Sequence, residues 1–279
     1  MSKYAYLGPV GTFTEAALRT ITGDSDQLIP CSNVTAALDM VRDGSADFAL
    51  VPIENSVEGV VARTLDELAI GEPLIIVGEV LLPVTFALMV RDANAEVKKI
   101  ATHPHAEAQC RKYIAKHYPN AELITTNSTA AAAEALANGQ FDAAVTRFVK
   151  VSKPGEIPAP TGFDRTSLAA FIGIDHAGAL LEVLTEFAVR GVNLTFIQSR
   201  PTGRELGHYH FIIDAEGHIN DARVGDALTG LRRICEDIRF LGSYPRADKV
   251  APTTTKATSD DSFKSSNNWL EDVRKGRAI

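Results

Sequence analysis

At 279 residues, 45% hydrophobic and 23% charged, the chain has the composition of a globular protein and the length for two ordinary domains. A net charge of −7 with no Lys/Arg cluster excludes a nucleic-acid surface. Cys31, Cys110 and Cys235 are far apart and form no CxxC pair, no signal-peptide apolar region precedes Lys3-Tyr4-Ala5-Tyr6-Leu7, and the most apolar stretch, 80–90, contains Pro83 and is too short to span a bilayer; a cytoplasmic, membrane-free protein with reduced thiols is expected.

In chain order, Tyr4 to Leu7 reads as a strand and Thr12 to Thr20 as a helix with Gly11 at its mouth. Ser32 or Asn33 can cap a second helix, whose apolar face carries Val34, Ala37, Leu38 and Val41 at helical spacing. Phe48 to Val51 is a buried strand entering a turn at Pro52. This βαβα rhythm predicts a mostly parallel sheet between helices. A second unit follows: strands at Val84 to Val90, Lys99 to Thr102 and Glu122 to Thr125, and helices at His105 to His117 and Thr129 to Asn138, the last stopped by Gly139. Two such units predict two lobes and a ligand cleft.

The Pro- and Gly-rich stretch within 152–165 reads as a linker. Beyond it, strands at Ser167 to Ile174, Val192 to Ser199, Tyr209 to Asp214 and Ile238 to Leu241 alternate with helices at Ala179 to Arg190 and Ala222 to Glu236. That βαββαβ order is the ferredoxin-like unit. Residues 247–279 are expected to be a partly disordered tail, with an amphipathic helix around Trp269.

Six motifs in order resemble the prephenate dehydratase family over nearly the whole chain. They are Gly8-Pro9-Val10-Gly11-Thr12-Phe13, Pro52-Ile53-Glu54-Asn55-Ser56 with Gly59, Thr102-His103-Pro104 with Gln109-Cys110, Thr146-Arg147-Phe148, Gly178-Ala179-Leu180, and Ser199-Arg200-Pro201. The resemblance implies an α/β fold: a two-lobed, periplasmic-binding-protein-like catalytic domain over 1–151, with hinges near 75–83 and 145–148, then a ferredoxin-like ACT regulatory domain over 166–246. It implies conversion of prephenate to phenylpyruvate, water and carbon dioxide without cofactor or metal, feedback by L-phenylalanine, and a homodimer or homotetramer. Arogenate as substrate, or a non-catalytic amino-acid sensor, are the alternatives.

Prephenate carries two carboxylates, so its site needs donors more than acids and bases. Gly11, Thr12 and Phe13, at a predicted helix N-terminus, offer N–H groups to an anion, and Asn55, Ser56, Ser128 and Thr129 add amide and hydroxyl donors. By resemblance, Thr146 donates to the departing hydroxyl, Glu54, Asn55, Thr102 and Gln109 orient or polarise the substrate, and Arg147 and Phe148 complete the signature. The resemblance places phenylalanine at Gly178, Ala179, Leu180, Gln198, Ser199, Arg200 and Pro201; the family usually carries Glu where this chain has Gln198. His103 and His105 lack a third ligand at useful spacing for a metal.

One stretch departs from the family. Asp142 to Val145 looks like a late strand of the second lobe, yet Thr146 follows at once, without the helix, strand and crossover expected between them. Parallel crossovers take about a dozen residues or more, so 141–152 is not expected to serve as both strands. Two origins compete: a stretch left out of the sequence as it stands, favoured by the coherence of both flanks, or a true deletion that keeps Thr146 from the cleft.

Overall fold

The computed structural model describes residues 1–55, 59–87, 97–102, 104–125, 140–173, 176–202 and 209–277, and of residues 84–87, 104–106, 108, 109, 112, 125 and 140–146 the backbone alone. The expected helix at 129–138 and Ser56, His103, Ser128 and Thr129 lie outside the described residues. Two compact units divide the chain: residues 1–65 with 80–151, and residues 66–79 with 152–279.

In the first unit, β1 (Lys3–Leu7) is flanked in parallel by β2 (Gln27–Cys31) and β3 (Phe48–Asn55). The sheet continues through β8 (Gln140–Ser152) to β5 (Ile75–Ala87), and the short β4 (Gly59–Val60) pairs with β3. Helix α1 (Phe13–Arg19) is capped by the Thr12 hydroxyl, which accepts from the Glu15 N–H. Asn33 caps α2 (Val34–Asp43) by accepting from the Ala36 N–H at 2.9 Å, and Gly44 ends it at φ +88°. The stripe Val34, Ala37, Leu38 and Val41 is buried, as its spacing predicts. Tyr4, Tyr6, Leu18, Leu50, Val80 and Phe148 form one core cluster. Beyond β3, the chain forms α3 (Ala62–Ile70); later, β6 (Lys99–Thr102) and β7 (Glu122–Thr125) make a separate parallel pair around α4 (Pro104–His117).

Residues 141–152 resolve the strand conflict differently from expectation. They belong to one continuous thirteen-residue strand, β8, antiparallel to β3. No second strand is required of them, because the element expected to end before Thr146 simply continues through it.

The second unit contains β9 (Asp164–Phe171), α5 (Ala179–Ala188), β10 (Leu194–Pro201), β11 (Tyr209–Glu216), α6 (Ala222–Ile234) and β12 (Asp237–Pro245). The sheet order β10-β11-β9-β12 is antiparallel throughout, the arrangement of a ferredoxin-like sandwich. Its helix-side core gathers Leu168, Val183, Phe187, Ile213, Val224 and Leu231.

Residues 66–79 group with this unit. Long-range polar contacts hold them there. Arg165 donates to Glu79 at 2.5 Å, Arg239 donates to the Gly71 carbonyl, and Arg200 grips Asp66. Buried beside these, Ser167 donates to Asp214 at 2.5 Å and shares a 2.7 Å hydrogen bond with the Tyr244 hydroxyl. The tail carries α7 (Asp260–Arg274), a fifteen-residue helix capped by Ser259 that buries none of its residues; Trp269 is 60% exposed.

Candidate active site and effector cavity

Strand register builds the first group. Pro52 faces Phe148, then one residue, Ile53, bulges out, and pairing resumes with Glu54 opposite Arg147 and Asn55 opposite Thr146. On its other edge β3 meets β4, with Glu54 opposite Val60 and Asn55 opposite Gly59. A bulge bends its strand and re-aims the residues that follow, a device common beside active sites. Residues 92 positions apart in the sequence, Glu54 and Thr146, thereby come to neighbouring places on adjacent strands. The Arg147 guanidinium is buried and lies 3.8 Å from the Glu54 carboxylate, which is partly exposed. Behind the bulge, the fully buried Thr64 donates its hydroxyl to the Pro52 carbonyl at 2.6 Å, and the Val61 N–H reaches the Ile53 carbonyl at 2.9 Å.

Other expected site residues are placed differently. Thr102 ends β6 in the two-stranded sheet, paired in register with Thr125, and Gln109 lies on α4 with its side chain undescribed. Phe148, expected at the substrate, is 2% exposed and belongs to the core with Tyr4 and Tyr6. The reason is that β8 is an interior strand, between β3 and β5, and its described residues Arg147, Phe148, Val149 and Val151 are all buried.

The glycine loop is engaged within its own unit. Gly11 sits at φ +86°, but its N–H is not free for an anion: it donates to the Glu15 carboxylate at 2.6 Å. Thr12 donates to the Leu7 carbonyl at 3.2 Å while capping α1, and Phe13 packs against the core cluster. Glu15 is itself buried and held by Arg19 at 2.5 and 2.9 Å. The Gly11 N–H first, and Arg19 after it, keep the Glu15 carboxyl below its ordinary range against the opposing effect of burial. The loop thus resembles a capping box, with Glu15 reaching back to Gly11, the residue before the Thr12 cap.

In the second unit a cavity of about 490 Å³ is lined by Gly173, His176, Ala179, Glu182, Cys235 and Glu236 with apolar neighbours. Gly178 precedes it at φ +98°, a left-handed conformation that favours glycine at the mouth of α5. Among the described residues a Cβ there would meet nothing within 4 Å, and the backbone conformation by itself favours the glycine. His176 and Glu182 are hydrogen-bonded at 3.0 Å, and burial pushes the Cys235 thiol up to about 11, leaving it protonated and unreactive. Leu180 is 37% exposed beside the cavity residue Ala179. Gln198, Ser199, Arg200 and Pro201 are not among the lining residues; they lie on β10, where the Gln198 amide donates to the Ser199 carbonyl and Arg200 is engaged by Asp66. Sequence reasoning missed His176, Glu182, Glu236 and Asp66, which carry no local motif.

A bulged strand pair that sets Glu54 and Asn55 opposite Arg147 and Thr146, followed by a ferredoxin-like sandwich with a cavity at the start of its first helix, fits a ligand-controlled α/β enzyme class. Residues 4–153 match the Prephenate dehydratase family and residues 170–233 the ACT domain. The chain belongs to the prephenate dehydratase family. A prephenate dehydratase of Amycolatopsis methanolica is 46% identical over 302 aligned positions, covering 99% of each protein. The crystal structure of a prephenate dehydratase from Arthrobacter aurescens, in complex with L-Phe, is 46% identical with a TM-score of 0.89, covering 98% of this chain and 99% of that one. GqqA, described as a novel type of quorum-quenching acylase, is 28% identical with a TM-score of 0.72, covering 87% and 97%. Among the described residues no helix is long and apolar enough to cross a membrane.

Proposed function

We propose that this protein catalyses the decarboxylating dehydration of prephenate to phenylpyruvate and is inhibited by L-phenylalanine bound at its ACT domain. The carrying observation is the register that sets Thr146 beside Asn55 and Arg147 beside Glu54, in a chain with full-length dehydratase relatives. In the reaction the bond between ring and carboxylate breaks and carbon dioxide leaves. Its electron pair completes the aromatic ring as the ring C–O bond breaks, and the departing hydroxide takes a proton to leave as water. Aromatisation supplies the drive; the protein's task is to orient two carboxylates and assist the leaving hydroxyl.

Thr146 is assigned as the donor to that hydroxyl. Threonine is a weak acid, so its contribution is partial proton transfer in the transition state, about 10²–10⁴-fold for a positioned donor. Glu54, Asn55, Thr102 and Gln109 orient the substrate. Arg147, buried against Glu54, is better placed to hold that carboxylate in position than to meet solvent-borne substrate. The ACT cavity, with Glu182 and Glu236 in its lining, suits an ammonium and an apolar side chain. That a relative at 46% identity is solved with L-Phe supports phenylalanine as the effector. Three free, dispersed cysteines accord with a cytoplasmic setting, and a homodimer or homotetramer is the proposed assembly.

The test is turnover of prephenate, followed by the alkaline absorbance of phenylpyruvate, with arogenate assayed in parallel. Product above the spontaneous rate that disappears in Thr146→Ala supports the assignment; equal rates in the two proteins would refute it.

A further inference from the structure

Along one edge, β3 changes neighbours where its bulge falls. Its pairing with β1 ends at Leu50, and its pairing with β4 begins at Glu54. The bulge at Ile53 lies in that interval. Two consecutive carbonyls there, those of Pro52 and Ile53, are both met by the short segment leading from β4 into α3. The Thr64 hydroxyl donates to the first at 2.6 Å, and the Val61 N–H to the second at 2.9 Å. A regular strand turns successive carbonyls to opposite edges, so one segment meets both only because the strand is bulged. Thr64 is fully buried, so bulk water is not at hand to replace its hydroxyl, and Ile53 is 3% exposed.

The bulge decides which pairs form. Regular pairing continued from Pro52 opposite Phe148 would set Ile53 opposite Arg147 and Glu54 opposite Thr146. With the extra residue the pairs are Glu54 with Arg147 and Asn55 with Thr146, and the buried guanidinium lies 3.8 Å from a carboxylate in place of an aliphatic chain. A shift of one residue also reverses the face to which each following side chain points. A buried carbonyl left without a donor is costly, so loss of the Thr64 hydroxyl favours rearrangement at Pro52, where the shift begins.

We propose that the Thr64 hydroxyl is a positioning group for the reaction: by holding the Pro52 carbonyl it fixes the bulge, and the bulge sets Glu54 and Asn55 against Arg147 and Thr146. Thr64 is thus a positioning residue, with no contact to substrate in this role. The role exists only if those four residues form the catalytic group proposed above.

The experiment compares the full chain as wild type, Thr64→Val, Thr64→Ser and Thr64→Ala. Valine keeps the shape and removes the hydroxyl, serine keeps the hydroxyl and removes the methyl, and alanine removes both. Circular dichroism and thermal unfolding check the fold, and prephenate turnover gives kcat and KM separately. Amide exchange compares residues 53–55 and 146–148 with the ladder at 49–51 and 149–151. Thr64→Val is expected to stay folded and lose about 10- to 100-fold in kcat, the effect of a misplacement of about 1 Å, with KM within about threefold of wild type. Its exchange should rise at 53–55 and 146–148 and not in the rest of the ladder. Thr64→Ser should recover rate and protection to within about threefold of wild type. A kcat that Thr64→Val leaves within threefold overturns the proposal, and so does unchanged exchange at 53–55. Serine behaving like valine overturns it by assigning the loss to packing, and a loss in KM alone by assigning it to binding. If Thr64→Val does not fold, Thr64→Ala is read by the same criteria; unfolding of both makes the hydroxyl a requirement of the fold and overturns the proposal. Wild type without turnover above the spontaneous rate removes the dehydratase reading and any part for Thr64 in it, while the exchange comparison still decides whether Thr64 holds the bulge.

Discussion

Removing the Glu15 carboxylate tests whether the glycine loop is a structural cap or an anion site. Glu15→Ala takes from Gly11 its acceptor at 2.6 Å and from Arg19 its partner at 2.5 Å. Arg19 is 65% exposed and rehydrates cheaply, so its pair contributes only about 0.3–0.5 kcal/mol. The bond from the Gly11 N–H to a carboxylate 7% exposed is the larger loss, about 1.5–3 kcal/mol. Together they come to about 2–3.5 kcal/mol. Glu15→Gln keeps an acceptor and is expected to lose about half of this.

The pH dependence gives a second signature. The folded-state pKa of Glu15 lies below its ordinary 4.5, so the stabilisation is present above pH 4.5 and is lost as pH falls through the lowered folded value. Urea unfolding followed by circular dichroism should therefore show a gap between wild type and Glu15→Gln at pH 7 that narrows in acid. If the Gly11 N–H instead served the substrate, releasing it from Glu15 would lower the KM for prephenate and leave stability nearly unchanged. A Glu15→Ala loss under 0.5 kcal/mol with a tighter KM would refute the capping argument.

Phe187→Ala in the second unit should cost about 3–5 kcal/mol, since the ring is 1% exposed within the helix-side core; thermal unfolding of the variant checks it. His210 gives an acid sensitivity of its own. Burial, the largest influence, holds its pKa below 6.5, so the unfolded chain takes up a proton the folded one refuses. Stability should fall as pH drops below about 6.5, and His210→Phe should flatten that slope in urea titrations between pH 7.5 and 5.5.

Much of the fold was legible because period and cap are local signals. The α2 stripe, the Asn33 cap and the βαββαβ order each follow from spacings within a dozen residues. The Thr12 cap was legible too: Thr12 and Glu15 stand three apart, the spacing at which a side chain reaches back to a backbone N–H near the cap, here that of Gly11. What the sequence hid is tertiary. That residues 66–79 pack with the C-terminal sheet depends on Arg165, Arg200 and Arg239 meeting Glu79, Asp66 and the end of α3, contacts between positions 86 to 171 residues apart. Arg147 reads as a solvent-facing member of an alternating strand only if β8 is taken as an edge; between β3 and β5 its buried side chain needs the Glu54 carboxylate close by.

The place of Thr146 follows from the same strand. The alignment to the Amycolatopsis methanolica relative runs to 302 positions, more than this chain's 279 residues, so that relative carries residues this chain lacks. Such a loss would displace the signature if its position depended on the path leading into β8. It depends instead on the residues that follow. Ala49 to Pro52 pair with Val151 to Phe148, and Phe148, Val149 and Val151 are all buried. A slip of one residue would reverse the facing of each and pull Phe148 from its place against Tyr4 and Tyr6. Fixed from its C-terminal half, and with one bulge at Ile53, β8 has a single register, and that register brings Thr146 to Asn55 whatever length of chain precedes it.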